Sequence, residues 1–445
     1  MSRCIPYLLA VALIAMAGCG QSASDPLPSN HDRTTDPDGG GVGHGDDGQD
    51  QESGTMADAE SGQDGSGDVA DGGSDPHVSQ GDGRPDPAET WNAPLGIPEP
   101  PFGIHERADN ACGQMHEVPF SSLADLASLA PGSLVQLPAG DLPSEREVTI
   151  GGAGTPCQPI IVRGDPQGTA LMADVTVTGS YVIVEDLEVD LSRSSQHNLG
   201  VADADHIALR RLEVHGLDIR RNTTVVFVSN STDVLIWSSH IHDNGDFDSP
   251  GEIDVHGIGA SMSHRLWVLD NHIHHNRGDG MQFGHRADNT LGDFYVGRND
   301  IHDNGENSVD IKEASRVVIS ENTLHDEPNG TVVLHDCPID AALIYNTLAD
   351  APYGVSLPSL EPNCDDDQPV SLFVLRNEFQ GITGAAIQGW GTGKRYFVAG
   401  NRFTNVGTDV AVDPIPAGSE VSTDDAALGA GMDAFEATYR ADIRR

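Results

Sequence analysis

Lysine is almost missing from this chain. Its 445 residues include only Lys312 and Lys394, and lysine and arginine together number 24 against 69 acids, for a net charge of −45. No basic face is available to displace counterions from a phosphate backbone, which argues against nucleic acid as a partner. An anionic substrate would have to be met by a locally placed cation. Aromatic residues are scarce as well, at 5%, which suits a narrow interior rather than a wide core. After the first eighteen residues no apolar run reaches the length of a membrane span. The six cysteines never fall in CxxC spacing, so a zinc or redox role is the lesser reading of them.

What the chain does have is a repeat. A short phrase recurs at Asn271-His-Ile-His, Asn299-Asp-Ile-His, Asn322-Thr-Leu-His, Asn346-Thr-Leu-Ala, Asn377-Glu-Phe-Gln and Asn401-Arg-Phe-Thr, with weaker versions at Leu187, Leu212 and Ser239. The spacing, 23 to 32 residues, is that of a solenoid. Alternating strands precede each Asn (Val317-Val-Ile-Ser, Leu343-Ile-Tyr, Leu372-Phe-Val-Leu) and others begin about ten residues after it (Val309-Asp-Ile-Lys, Val332-Val-Leu-His). Three short strands per turn with polar corners predict an all-β fold, a right-handed parallel β-helix. Asn both donates and accepts, so stacked asparagines are expected to form a ladder along one corner.

The chain opens with Arg3 and an apolar run, Ile5 to Ala17, too short to span a bilayer and suited to an export signal. The run ends Met16-Ala-Gly-Cys19, which resembles the lipobox of bacterial lipoproteins with Met in place of the usual Leu. The resemblance implies a signal peptide over 1–18, acylation of Cys19, and attachment of an exported protein to a membrane, at the outer membrane or cell surface, without a spanning helix. Residues 19–90 are rich in Gly, Asp, Ser and Pro and nearly free of aliphatics. Such a composition cannot bury enough apolar surface to fold, so a disordered linker is expected.

Residues 91–415 form the expected β-helix domain and 416–445 a C-terminal cap segment. In Phe120–Gly140, Ser121 or Ser122 can cap a helix with Leu123, Leu126 and Leu129 on one face, ended by Pro131-Gly132. This opening, together with Gly154-Thr-Pro-Cys-Gln-Pro-Ile-Ile-Val-Arg-Gly, resembles pectate-lyase-like β-helices, in which a helix plugs the first coil. A second helix within Ser422–Ile443, acidic at its start and basic at its end, is expected to cover the last coil. The cysteines of the exported domain, Cys112, Cys157, Cys337 and Cys364, suggest two disulfides. Of the three pairings, Cys112–Cys157 and Cys337–Cys364 are favoured as local in coil order.

With Met281, Val309 and Val332 in register and pointing inward, Gln282, Asp310 and Val333 make one outward row, and Gly284, Lys312 and His335 the next. Asp279 and Asn307 precede them, with His256 one coil earlier; Asp336 lies on the same face, and Arg221 and Arg277 border it. Lysine can serve as a base when its proton is lost. His242, His274, His302 and His325 recur at one repeat position and read as stacked polar corners, with metal binding as the lesser alternative.

The coil repeat, the helical plug and the strand Ser308-Val-Asp-Ile-Lys312 resemble polysaccharide lyases built on a right-handed β-helix, which use calcium and a lysine or arginine base. The resemblance implies a monomer acting on an acidic, uronate-containing polysaccharide by β-elimination. Calcium on Asp279, Asp310 and Glu306 would pair with the uronate carboxylate, Lys312 would take the C5 proton, and His335 or His256 would protonate the leaving oxygen. Arg221, Arg277 and Gln282 would hold substrate. Two positions depart from that pattern: Gln282 stands where a further acid is expected, and His335 where some relatives carry arginine. The alternatives are a non-catalytic, lipid-tethered carbohydrate-binding or adhesion module, a polygalacturonase-type hydrolase, and a uronate epimerase, which shares the first chemical step.

Overall fold

The computed structural model describes residues 91–105, 114–194, 198–248, 253–284, 292–312, 314–334, 339–357, 370–389, 394–441 and 443–444. Cys19, the linker, Cys112, Cys337, Cys364, His335 and Asp336 lie outside these, and so do both expected disulfide pairings; Cys157 is disulfide-bonded.

Strands His116–Glu117 to Glu420–Val421 wind into a parallel solenoid of about nine turns. Three sheets run along it. Sheet I includes Thr232–Trp237, His264–Leu269, Gly292–Gly297, Ser315–Ser320, Ile339–Ile344 and Val370–Leu375. Sheet II includes His240–Asn244, His272–Asn276, Asp300–His302, Thr323–His325, Thr347–Ala349 and Glu378–Gln380. Sheet III includes Thr223–Ser229, Val255–Ser261, Met281–Phe283, Asn307–Ile311, Gly330–Leu334 and Val355–Leu357.

One aliphatic core fills the coil, with Val234, Ile273, Met281, Val309, Leu324 and Val332 essentially inaccessible. Sheet I departs from the alternation expected of it, because its outward side chains are apolar too. Leu235, Trp237, Trp267, Val318, Ala342, Ile344 and Phe373 form a second buried cluster on the outside of the coil. The segment Trp91–His105 covers part of it with Ile97, Phe102 and Ile104, and the C-terminal helix covers the rest. Strands covered on both faces read as continuous apolar runs such as Val234-Leu-Ile-Trp.

Both expected helices differ in detail. Leu123–Ser128 is a 3₁₀ turn that buries Leu126, and Ser121 and Ser122 cap nothing; each hydroxyl donates to Asp125 Oδ2 at 2.6 Å. A serine that bonds a nearby carboxylate is no longer available to the backbone amides. The C-terminal helix, α1, spans Leu428–Tyr439, after a short turn that Asp424 caps through Ala426 N–H. It lies along the flank of sheet I rather than over the last coil. Phe435 meets Phe373 edge-on at 5.9 Å, while Phe403, Val410 and Val412 in the last coil stay partly exposed. The apolar outward face of sheet I offers α1 more surface to bury than the end of the coil does.

The corner between sheets I and II is set by the asparagine ladder. Asn299 Oδ1 accepts from Asn271 N–H and Nδ2 at 2.9 and 3.0 Å, and Asn322, Asn346, Asn377 and Asn401 repeat the arrangement. Each Nδ2 also donates to a backbone carbonyl one coil back, as Asn322 does to Val296. The residue before each asparagine is left-handed, with φ of 55° at Asp270, 51° at Arg298 and 60° at Glu321. Such a backbone costs a non-glycine residue about 1 kcal/mol, which the fully bonded amide offsets.

A second ladder, missed in the sequence, runs five residues further on at the corner between sheets II and III. Asn244, Asn276 and Asn304 stack through side-chain bonds of 2.9 and 3.0 Å, and the column ends on Glu327, which accepts from Asn304 N–H, Asn304 Nδ2 and Ser308 Oγ. Burial pushes the Glu327 carboxyl up to about 7 against those three donors.

Two predictions follow from the ladders. Asn322→Ala strands two donors of Asn299 and two backbone carbonyls inside the protein, and urea unfolding is expected to show a loss of about 3 kcal/mol or more. For Glu327 the folded pKa lies above the unfolded one, so its neutral form favours folding at low pH and stability falls as pH rises between about 4.5 and about 7, by roughly 3 kcal/mol. Glu327→Gln keeps the acceptor oxygen and cannot ionise, so the drop in stability between those pH values shrinks; an unchanged pH dependence would place its origin elsewhere.

Candidate functional site

Sheet III carries the polar outward rows at the register expected. Met281 pairs with Val309 and Val309 with Val332, which aligns Gln282 with Asp310 and Asp310 with Val333. At the corner leading into the same strands, His256, Asp279 and Asn307 follow one another from coil to coil. The Asp279 amide lies 3.1 Å from His256 Nδ1, and Asn307 donates to Asp279 Oδ1 from its backbone and from Nδ2, at 3.2 and 2.8 Å.

These side chains form one connected chain. Asp279 Oδ2 lies 3.1 Å from His256 Nδ1 and accepts from Gln282 Nε2 at 3.2 Å; the same nitrogen donates to Asp310 Oδ2 at 3.3 Å, which in turn is 3.6 Å from Lys312 Nζ. Gln282 thus separates two carboxylates with a shared donor, a position where a third acid would leave them repelling one another. Although they point outward, His256, Asp279 and Asp310 are buried, and Lys312 is about a quarter exposed.

The half-buried Glu306 completes the cluster. One ligand atom from each of His256, Asp279 and Glu306 falls within 4.8 Å of the other two. Burial and the charges of Asp279, Asp254 and Asp310 push Glu306 up to about 7, with His256 opposing. Burial disfavours charge on His256, but the bond to Asp279 and the charges of Asp279, Asp254 and Glu306 outweigh it and raise its pKa. Arg277 is half buried and Arg221 exposed, each a few residues ahead of its sheet III strand.

The expected calcium set does not fit this geometry. Asp279 is wholly buried and both of its oxygens are engaged inside the protein, and the acids that would share an ion with it are joined by an imidazole. Calcium takes six to eight oxygens and has little use for nitrogen. In the three residues an aspartate lies against one nitrogen of a histidine, with a glutamate of raised pKa beside it.

Residues 175–349 match the family described as the right handed beta helix region. Over those residues the chain is a right-handed parallel β-helix. No curated protein matches it by sequence. Solved structures similar to this β-helix include the mannuronan C-5 epimerase AlgE4 A-module of Azotobacter vinelandii, at 15% identity over 65% of this chain and 91% of that one, TM-score 0.40. Pectate lyase Pel9A is similar at 14% identity over 71% and 81%, TM-score 0.45. PfbA, a surface adhesin of Streptococcus pneumoniae, is similar at 9% over 63% and 83%, TM-score 0.38. At such identities the likeness is one of fold.

Asp279→Asn in this β-helix removes the charge that favours the imidazolium. The pKa of His256 is expected to fall, and that of Glu306 with it, as followed by NMR titration of the ring and carboxyl signals. Titration unchanged in the variant would separate Asp279 from both groups.

Proposed function

We propose that the groove on sheet III performs β-elimination on a uronate-containing polysaccharide with the protein's own acid and base. The observation that carries this reading is the close group of Glu306, His256 and Asp279, in which Glu306 is pushed up to about 7 and His256 is held above the usual imidazole value by the Asp279 carboxylate. A general acid or base is most effective when its pKa lies near the working pH. Glu306, as the carboxylate, takes the C5 proton; the C5–H electrons form the C4–C5 double bond as the C4–O bond breaks; and His256, as the imidazolium steadied by Asp279, protonates the departing oxygen. Lys312 pairs with the uronate carboxylate and supplies the local cation that so acidic a chain needs. This reverses the roles expected from the lyase resemblance, in which lysine was the base.

The short reach between acid and base suits a syn elimination, with proton and leaving oxygen on one face of the ring. Uronates of gluco and manno configuration place C5–H and C4–O in that relation, and the galacto configuration does not. Anchoring through acylated Cys19, with residues 19–90 as spacer, would keep such an activity at a membrane surface in contact with external polymer.

Incubation with glucuronate-, mannuronate- and galacturonate-based polymers should raise the ultraviolet absorbance of unsaturated uronate with the first two. Activity should climb with deprotonation of Glu306 around pH 7 and fall again as His256 loses its proton. Glu306→Gln and His256→Gln are each expected to lower kcat by about a hundredfold to ten-thousandfold, and Lys312→Ala to raise KM. Solvent deuterium appearing at C5 without cleavage would point to an epimerase instead, and neither cleavage nor exchange on any polymer would overturn the proposal.

A further inference from the structure

Sheet II presents a second polar face, independent of the groove, on which seven histidines lie in two columns. One column is Glu188, Glu213, His240, His272, Asp300; the other is His215, His242, His274, His302, His325. Rings of the second column stack face to face, with centroids 5.4, 5.3, 5.0 and 4.7 Å apart along the coil.

The contacts between the columns follow one rule. Nε2 of each second-column histidine meets the first-column residue one coil back: His215 meets Glu188 at 2.9 Å, His242 meets Glu213 at 3.4 Å, and His325 meets Asp300 at 3.2 Å. In the two middle coils the carboxylate is replaced by another histidine. His274 Nε2 lies 2.6 Å from His240 Nε2, and His302 Nε2 lies 2.8 Å from His272 Nε2. On the far side of the rings, Nδ1 of His242, His302 and His325 contacts the carboxylate of the next residue, Asp243, Asp303 or Asp326, at 2.8, 2.8 and 2.6 Å. All three aspartates are held in place by a left-handed backbone. Such a carboxylate accepts a hydrogen bond from Nδ1–H and leaves the Nε2 lone pair forward, which is how metal-binding histidines are commonly oriented.

We propose that this face binds imidazole-seeking divalent transition-metal ions, zinc or copper(II), at two adjacent sites: His240, His242 and His274, and His272, His302 and Asp300. Within each set the donor atoms lie inside 4.8 Å of one another. The facing Nε2 pairs need open by only about 0.5–0.8 Å to accept an ion with tetrahedral bonds of about 2.0–2.1 Å, and three protein donors leave the remaining position to water or an external ligand. Calcium and magnesium, which prefer oxygen, do not suit these donors.

Equilibrium dialysis of the full chain against zinc and copper(II), in excess calcium and magnesium, is expected to retain two ions per chain, with nitrogen hyperfine structure in the copper(II) spin resonance spectrum. His240→Gln and His272→Gln each remove one ion and the double variant removes both, while His256→Gln in the groove keeps two. Asp303→Asn, which leaves every donor in place, weakens the second site about tenfold. Since all these side chains point away from the core, circular dichroism and melting are expected to be unchanged. Retention of no zinc or copper(II), or of both ions by a folded double variant, would overturn the proposal and leave the histidines as a stack held by shared protons.

Discussion

Everything in this molecule depends on how the backbone amides at the coil corners are satisfied. A tight corner turns N–H and C=O groups toward an aliphatic interior where no water reaches them, and an unpaired group there costs about 1–3 kcal/mol. Asparagine answers the need because one side chain accepts from the coil before it and donates to a carbonyl as well. Once the first corner is fixed, each later coil finds a template, and the parallel strands between corners have little freedom of register. The left-handed residue ahead of each asparagine belongs to the same device, since it produces the bend that brings the amide inside.

The same device explains why this sequence could be read. The six ladder asparagines are in phase, each with an aliphatic two residues on, and that phase alone sets the coils and the inward residues. The rows Gln282–Asp310 and His256–Asp279–Asn307 then follow by counting, and the structure places them at that register. The second ladder carried a comparable signal, an Asn or its substitute five residues after the first, at Asn276, Asn304 and Glu327. Glu327 breaks the residue type and hid the column. The cover of sheet I was harder to see. Trp237 and Trp267 look like scattered aromatics until Trp91–His105 is known to lie on the same cluster, as where Trp267 donates to the Pro98 carbonyl, and contacts more than a hundred residues apart leave no local pattern.

The chemistry of the groove was less legible than its position. Sequence brought Asp279, Asp310 and Lys312 to one face, and the lyase resemblance added Glu306 and a calcium reading. Burial and hydrogen bonding shape what these side chains can do, and neither has a sequence signature. Asp279 spends one oxygen on Asn307 and the other on Gln282 and His256, so it acts by orienting and charging its neighbours. Gln282, which stood out as a missing acid, is the donor that lets two carboxylates coexist a few ångströms apart.

Stacking multiplies whatever a repeat position contains. Rungs about 4.8 Å apart are within reach of direct bonds between asparagine, histidine, glutamate and glutamine side chains. A column of one long polar residue therefore becomes a continuous surface, and a single substitution in it becomes a site. On sheet III the substitution is of charge: Gln282 stands among acids, with His256 at one end of the hydrogen-bonded row and Lys312 at the other. On sheet II it is histidine for a carboxylate at two successive rungs, which turns an acid–imidazole pair into an imidazole–imidazole pair. The two faces share a core and a pitch, and their chemistry differs through the few rungs at which each column departs from its own repeat.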